Sequence, residues 1–210
     1  MGPLVVALTA SAVSGQSAQA WSDDLPPLLD RVEEIRLARS AAPAAVTADA
    51  TVLVLERGGY VEAEAGTNGV TCYVSRTWPG SLEPHCFDGE GSATILQVHL
   101  TRARLREEGK TREEADVAVG LALASGDLRL PARPVMSYMM SADQVLFNDD
   151  GERVGSWQPH LMIYVPYITS EALGLGGGPP STDAAIVVDP GTPEANIMVV
   201  VKEFAHLPEG

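Results

Sequence analysis

The alternation of apolar and polar positions divides the chain into a short helical preface, a β-rich stretch, a pair of helices and a second β-rich stretch. Ser22-Asp23-Asp24-Leu25-Pro26 reads as a helix start. Acidic residues suit the free N–H groups of a first turn, and proline is tolerated there. Leu28, Val32, Ile35 and Leu37 recur at near-helical spacing as far as Ser40, and Pro43 ends the pattern. That stripe predicts a helix packing one face on the main body. Small residues at 41–50 read as a linker. Residues 51–56 are β-rich, Arg57-Gly58-Gly59 turns the chain, and residues 60–64 alternate as a half-buried strand does. Asn68-Gly69 marks another turn, and residues 70–75 form a third strand. The expectation is an antiparallel meander, with residues 76–84 as a loop returning to the sheet near Cys86.

Residues 90–108 predict a helix with Ile95, Leu96, Val98, Leu100, Ala103 and Leu105 as its apolar content, and Gly109 stops it. Thr111-Arg112-Glu113-Glu114 is a capping box, in which the Thr and Glu side chains satisfy each other's free backbone donors. A second helix therefore spans 112–124, ended by Ser125-Gly126, and the two helices form a hairpin suited to cover one sheet face. Further strands are expected at 135–141, 144–148, 159–166, 185–188 and 196–202. The 159–166 strand is apolar on nearly both faces and so is placed centrally. Strands, then helices, then strands predict an α+β domain with an antiparallel sheet, not a parallel βαβ array.

Length and composition narrow this further. The 210 residues, 45% of them hydrophobic, suit one domain at 51–210 with a preface at 21–50. Residues 4–13 are an apolar run, and Ala18-Gln19-Ala20 supplies the small residues that precede a signal-peptide cut, so residues 1–20 read as an export leader. No Lys or Arg lies within them, a departure from the usual positive start of such a leader. The run is too short for a stable membrane anchor. The expected location is periplasmic or secreted. The net charge of −14 makes the protein acidic, which repels phosphate backbones and excludes nucleic acid as a partner. The two cysteines, Cys72 and Cys86, point to one disulfide in an oxidising compartment. His85 beside Cys86 offers a metal alternative, but two thiols and one His without a second paired motif make no zinc pattern.

Gly66-Thr67-Asn68-Gly69-Val70-Thr71-Cys72 with the later Cys86-Phe87-Asp88 resembles a motif of an uncharacterised family of secreted bacterial proteins. So do Ser137-Tyr138-Met139-Met140-Ser141 and Pro159-His160-Leu161-Met162-Ile163-Tyr164-Val165-Pro166. The resemblance covers about residues 51–204. It implies export and a single domain, and it carries no activity, cofactor or site residue.

The sequence holds no G-x-S-x-G elbow, H-E-x-x-H, P-loop or dinucleotide fingerprint. Asn148-Asp149-Asp150-Gly151 reads as a turn, since the calcium-loop register puts Leu146 and Trp157 where oxygen ligands belong. His160 is the leading catalytic candidate, with Tyr138 and the hydroxyls of Ser137 and Ser141 near it in sequence. His160, Met162 and Tyr164 share one face of their strand, and Met136, Tyr138 and Met140 share one face of theirs. If those faces meet, His160, Met162 and Met140 suit a soft metal such as copper. Trp78 and Trp157, beside turns, are ligand-binding candidates that also serve as core caps. The leading expectation is a monomeric, non-enzymatic binding module of the cell envelope or extracellular space. It requires no cofactor, and its partner is a small molecule or an envelope protein. The alternatives are an envelope hydrolase using His160 and periplasmic copper binding.

Overall fold

Asp30 decides where the first helix begins. Its carboxylate accepts a hydrogen bond from the Val32 N–H at 3.0 Å, so α1 runs Arg31–Arg39. The computed structural model describes residues 28–76, 81–147, 153–155, 157–175 and 184–205. The expected leader, the helix start at Ser22, Trp78 and the turn at 148–151 lie outside the described residues. The buried face of α1 is not the expected stripe. Val32 is 75% exposed, whereas Glu34, Leu37 and Ala38 are buried. One Glu34 oxygen pairs with Arg76 at 2.8 Å and the other accepts the Leu55 N–H at 3.0 Å. A buried carboxylate held by a cation and a backbone donor fixes the helix rotation as firmly as an apolar side chain does. Residues 41–50 carry a further helical turn, α2 (Ala44–Thr47). Ala41, Ala42 and Ala50 share one core with Leu37, Val52, Cys72 and Cys86.

Among the described residues ten strands follow in chain order: β1 (Thr51–Glu56), β2 (Gly59–Glu64), β3 (Thr71–Ser75), β4 (Glu83–Phe87), β5 (Val135–Met139), β6 (Leu146–Phe147), β7 (Arg153–Gly155), β8 (His160–Tyr164), β9 (Ile186–Val188) and β10 (Asn196–Val200). Eight of them form one sheet in the order β2-β1-β3-β4-β5-β8-β10-β9, and β6 pairs with β7 alone. The β1–β2 hairpin turns at Gly58, whose φ of 100° is glycine territory. The meander stops there. β3 lies on the far side of β1 and runs parallel to it, Thr51 opposite Thr71 and Val52 opposite Cys72. The connecting chain passes backbone against backbone at Gly66, where a Cβ would stand 2.1 Å from the Thr51 nitrogen. All other neighbours in the sheet are antiparallel.

β4 is a strand where the sequence pattern reads mostly loop. Pro84 argues against a strand because it lacks an N–H, but it sits where β4 pairs with β3 and not with β5, which it meets only at Cys86 and Phe87. Cys72 and Cys86 are directly opposite and joined, with S–S 2.03 Å.

The helical segment at 90–108 divides into α3 (Gly89–Ala93) and α4 (Ile95–Glu107), because Thr94 leaves helical backbone angles. α5 (Arg112–Ser125) starts on the expected capping box and ends at Gly126 in the left-handed region. Ile95 and Leu96 pack on Tyr73, Phe87, Val135 and Tyr164. The sheet is thus covered on both faces: α1 over the disulfide, and the α3–α4 segment over the opposite face with α5 against α4. The fold is α+β, with a mostly antiparallel sheet and one disulfide.

Candidate binding cavity

Strand alternation and register together decide which side chains share a face. On β8, His160, Met162 and Tyr164 point to the α4 side. Their cross-strand partners on β5 are Met139, Ser137 and Val135, and Met198 on β10 stands opposite Met162. Tyr138 is opposite Leu161 and packs into the core around the disulfide. The structure therefore does not bring Tyr138 and His160 together: they occupy reverse faces of the sheet. Met136 shares the Tyr138 face, and Met140, one residue past β5, follows the same alternation. Met139, Met162 and Met198 are the thioethers on the His160 side. A register displaced by one residue separates the expected set from the observed one.

Between this face and α4 lies a cavity of about 620 Å³. Tyr60, Tyr73 and Tyr164, the imidazoles of His85, His99 and His160, the three thioethers and the aliphatic Ile186 and Val188 wall it. α4 contributes Arg102, Arg106 and Glu107, and the turn before β10 contributes Glu194.

Each histidine is held differently. His160 Nδ1 stands 2.7 Å from the Gln158 carbonyl. A carbonyl only accepts, so Nδ1 carries the proton and Nε2 is a bare acceptor. His99 Nδ1 lies 2.7 Å from the Tyr73 hydroxyl, and its Nε2 lies 3.6 Å from a Glu194 oxygen. The carboxylate favours the proton on Nε2, so the Tyr73 hydroxyl donates to Nδ1. His85 Nδ1 is 3.2 Å from the Ser137 hydroxyl, and its ring lies tilted beside Tyr73 and stacks on Phe87. Burial pushes all three imidazoles below their ordinary range, His99 to about 4 and His85 well below, so they are neutral at neutral pH. Burial likewise raises the Tyr60, Tyr73 and Tyr164 hydroxyls.

Several charged groups of the wall engage each other. Burial works against the Glu194 charge, but Arg102 grips both its oxygens, at 2.7 and 2.5 Å, and its pKa ends below the usual carboxylate range. Arg102 also reaches Asp116 at 2.9 Å. Arg76 is spent on Glu34.

Among the remaining candidates, Trp157 is 43% exposed, lines the cavity and meets the His160 ring edge-on at 6.3 Å. Ser137 is completely buried, and Ser141 bonds Ser40 at 2.6 Å, away from His160. Among the described residues no group of three or more His, Cys, Asp or Glu side chains is placed to hold a metal ion.

Sequence reasoning gives no site role to Tyr73, weighs His85 only as a metal alternative beside Cys86, and gives no site role to His99 or Glu194. For the first two a signal exists. Once Cys72 and Cys86 are taken as opposite residues, their neighbours Tyr73 and His85 must also pair, on the reverse face, as observed. Nothing local in the chain marks His99 or Glu194.

Fold and cavity together define an α+β protein whose helix-covered sheet face holds an aromatic, thioether-lined chamber with neutral imidazoles. Comparison with known protein families, curated proteins and solved structures yields no match for this chain.

Proposed function

We propose that this chain is an exported binding module of the cell envelope or extracellular space that takes a small organic molecule into the cavity beneath α4. The cavity carries the reading. Its volume of about 620 Å³ falls within the range of ligand pockets, and its mostly apolar wall with a few polar atoms is the usual composition of such sites. Export is supported by the disulfide, by the leader-like residues 1–20 and by the resemblance to secreted bacterial proteins. Among the described residues no helix is long and apolar enough to cross a membrane.

Binding accounts for the site better than hydrolysis. A hydrolase needs a reachable nucleophile whose base is oriented by an acid. Ser137 is sealed off from the cavity, and the acid stands beside His99 instead of His85 or His160. One observation favours a second reading, copper: Met139 is directly opposite His160, with Met162 and Met198 on the same wall.

The test is native mass spectrometry of the protein isolated from the periplasm without chelator. The expected spectrum shows a chain starting at Trp21, lacking the two thiol hydrogens and carrying a non-covalent organic adduct. A copper adduct lost in His160→Ala would replace the proposal with the copper reading. An uncut chain would end the export part of it.

A further inference from the structure

Two of the tyrosines and Arg102 in the cavity wall turn their donors to the protein. The Tyr60 hydroxyl donates to the Val74 carbonyl at 2.6 Å, the Tyr73 hydroxyl to His99, and Arg102 to Glu194 and Asp116. His160 and Asn196 instead present acceptors. His160 is 2% exposed, and with Nδ1 committed to the Gln158 carbonyl its Nε2 has only a lone pair to offer. Asn196, also 2% exposed, uses its amide N–H on the Glu194 carbonyl at 3.3 Å, while its Oδ1 has no partner. Turning that amide over would set oxygen against oxygen, so the assignment stands. One oxygen of Glu107, Oε1, is like Asn196 Oδ1 a buried acceptor without a partner.

A buried acceptor without a donor is costly, and it is most simply met by whatever fills the space. Resting on the cavity-binding reading above, we infer that the ligand is a non-anionic, ring-bearing molecule that brings its own O–H or N–H donors to His160 and Asn196. The aromatic and thioether wall takes the ring. At His160 and Asn196 an anion is disfavoured because its lone pairs would meet theirs, in a chain whose net charge is already −14. Phenols and aryl amines have the required chemistry.

The inference is tested by NMR titration of the full chain at pH 7 with three probes of one shape: 4-propylphenol, 4-propylanisole and 4-propylbenzoate. The phenol offers a donor, the anisole only an acceptor, and the benzoate a negative charge. The phenol is expected to bind at least ~10-fold more tightly than the other two, and to shift the Asn196 side-chain amide signals. Asn196→Leu and His160→Phe, each close in size to the residue replaced, are expected to erase most of that preference by weakening phenol binding. Equal binding of phenol and anisole, or tighter binding of benzoate, overturns the donor inference and leaves the cavity-binding reading standing. Failure of all three probes to bind overturns both.

Discussion

His99 shows how much one side chain depends on its surroundings. Burial moves it from the ordinary 6.5 to about 4 in the folded protein, with Glu194 opposing that shift and Arg102 adding to it. The unfolded chain therefore binds more protons between those values, and stability rises with pH across them and is flat above. The loss on acidification, from about pH 6.5 down to 4, is on the order of 3 kcal/mol for this one group. His85 and His160, also lowered, act in the same direction. Urea midpoints measured from pH 8 to pH 4 should hold level to about 7 and then fall steadily. A midpoint unchanged between pH 7 and pH 5 would mean that these imidazoles are not buried in the neutral form. Glu34 illustrates what a residue's identity hides. Hydropathy places it on the solvent side of α1, and only the arrival of Arg76 and the Leu55 N–H, 42 and 21 positions away, makes the inside habitable for it.

At the level of elements, the most legible parts were those with local instructions. α5 follows its capping box: the Thr111 hydroxyl accepts from the Glu114 N–H at 3.2 Å and the Glu114 carboxylate accepts from the Thr111 N–H at 2.9 Å. Thr111→Ala should cost about 1 kcal/mol of stability, read as a lower urea midpoint with an unchanged slope. β8, β9 and β10 were also legible, because apolar runs between turn residues need no distant information. The failures lie where a long-range partner decides. β3 carries a strand pattern, but no local signal says that it will cross to the far side of β1 and run parallel to it. β4 contains a proline and a charged residue, and becomes a strand because the Cys72–Cys86 bond and β3 hold it there. The candidate site suffered most. His160 and the methionine-rich strands stand out in the sequence, but a shift of one residue in register exchanges Met139 for Met140 and sends Tyr138 to the other side of the sheet.

Considered whole, the molecule is one sheet with two differently used faces. The face under α1 is small-residue core, with alanines packed on the disulfide. The face under α4 is loosely filled and carries the aromatic rings and imidazoles. Cys72 and Cys86 belong to the first face, yet the residues that follow and precede them, Tyr73 and His85, stand on the second. The disulfide is therefore a clamp applied from behind to the chamber's own wall. With the bond formed, Tyr73 and His85 stand opposite each other with ring centroids 5.7 Å apart. With the sulfurs parted, the fold loses about 3 kcal/mol and the two strands are free to breathe against each other. On the proposed binding reading, binding of 4-propylphenol should weaken on reduction while far-UV circular dichroism stays near native.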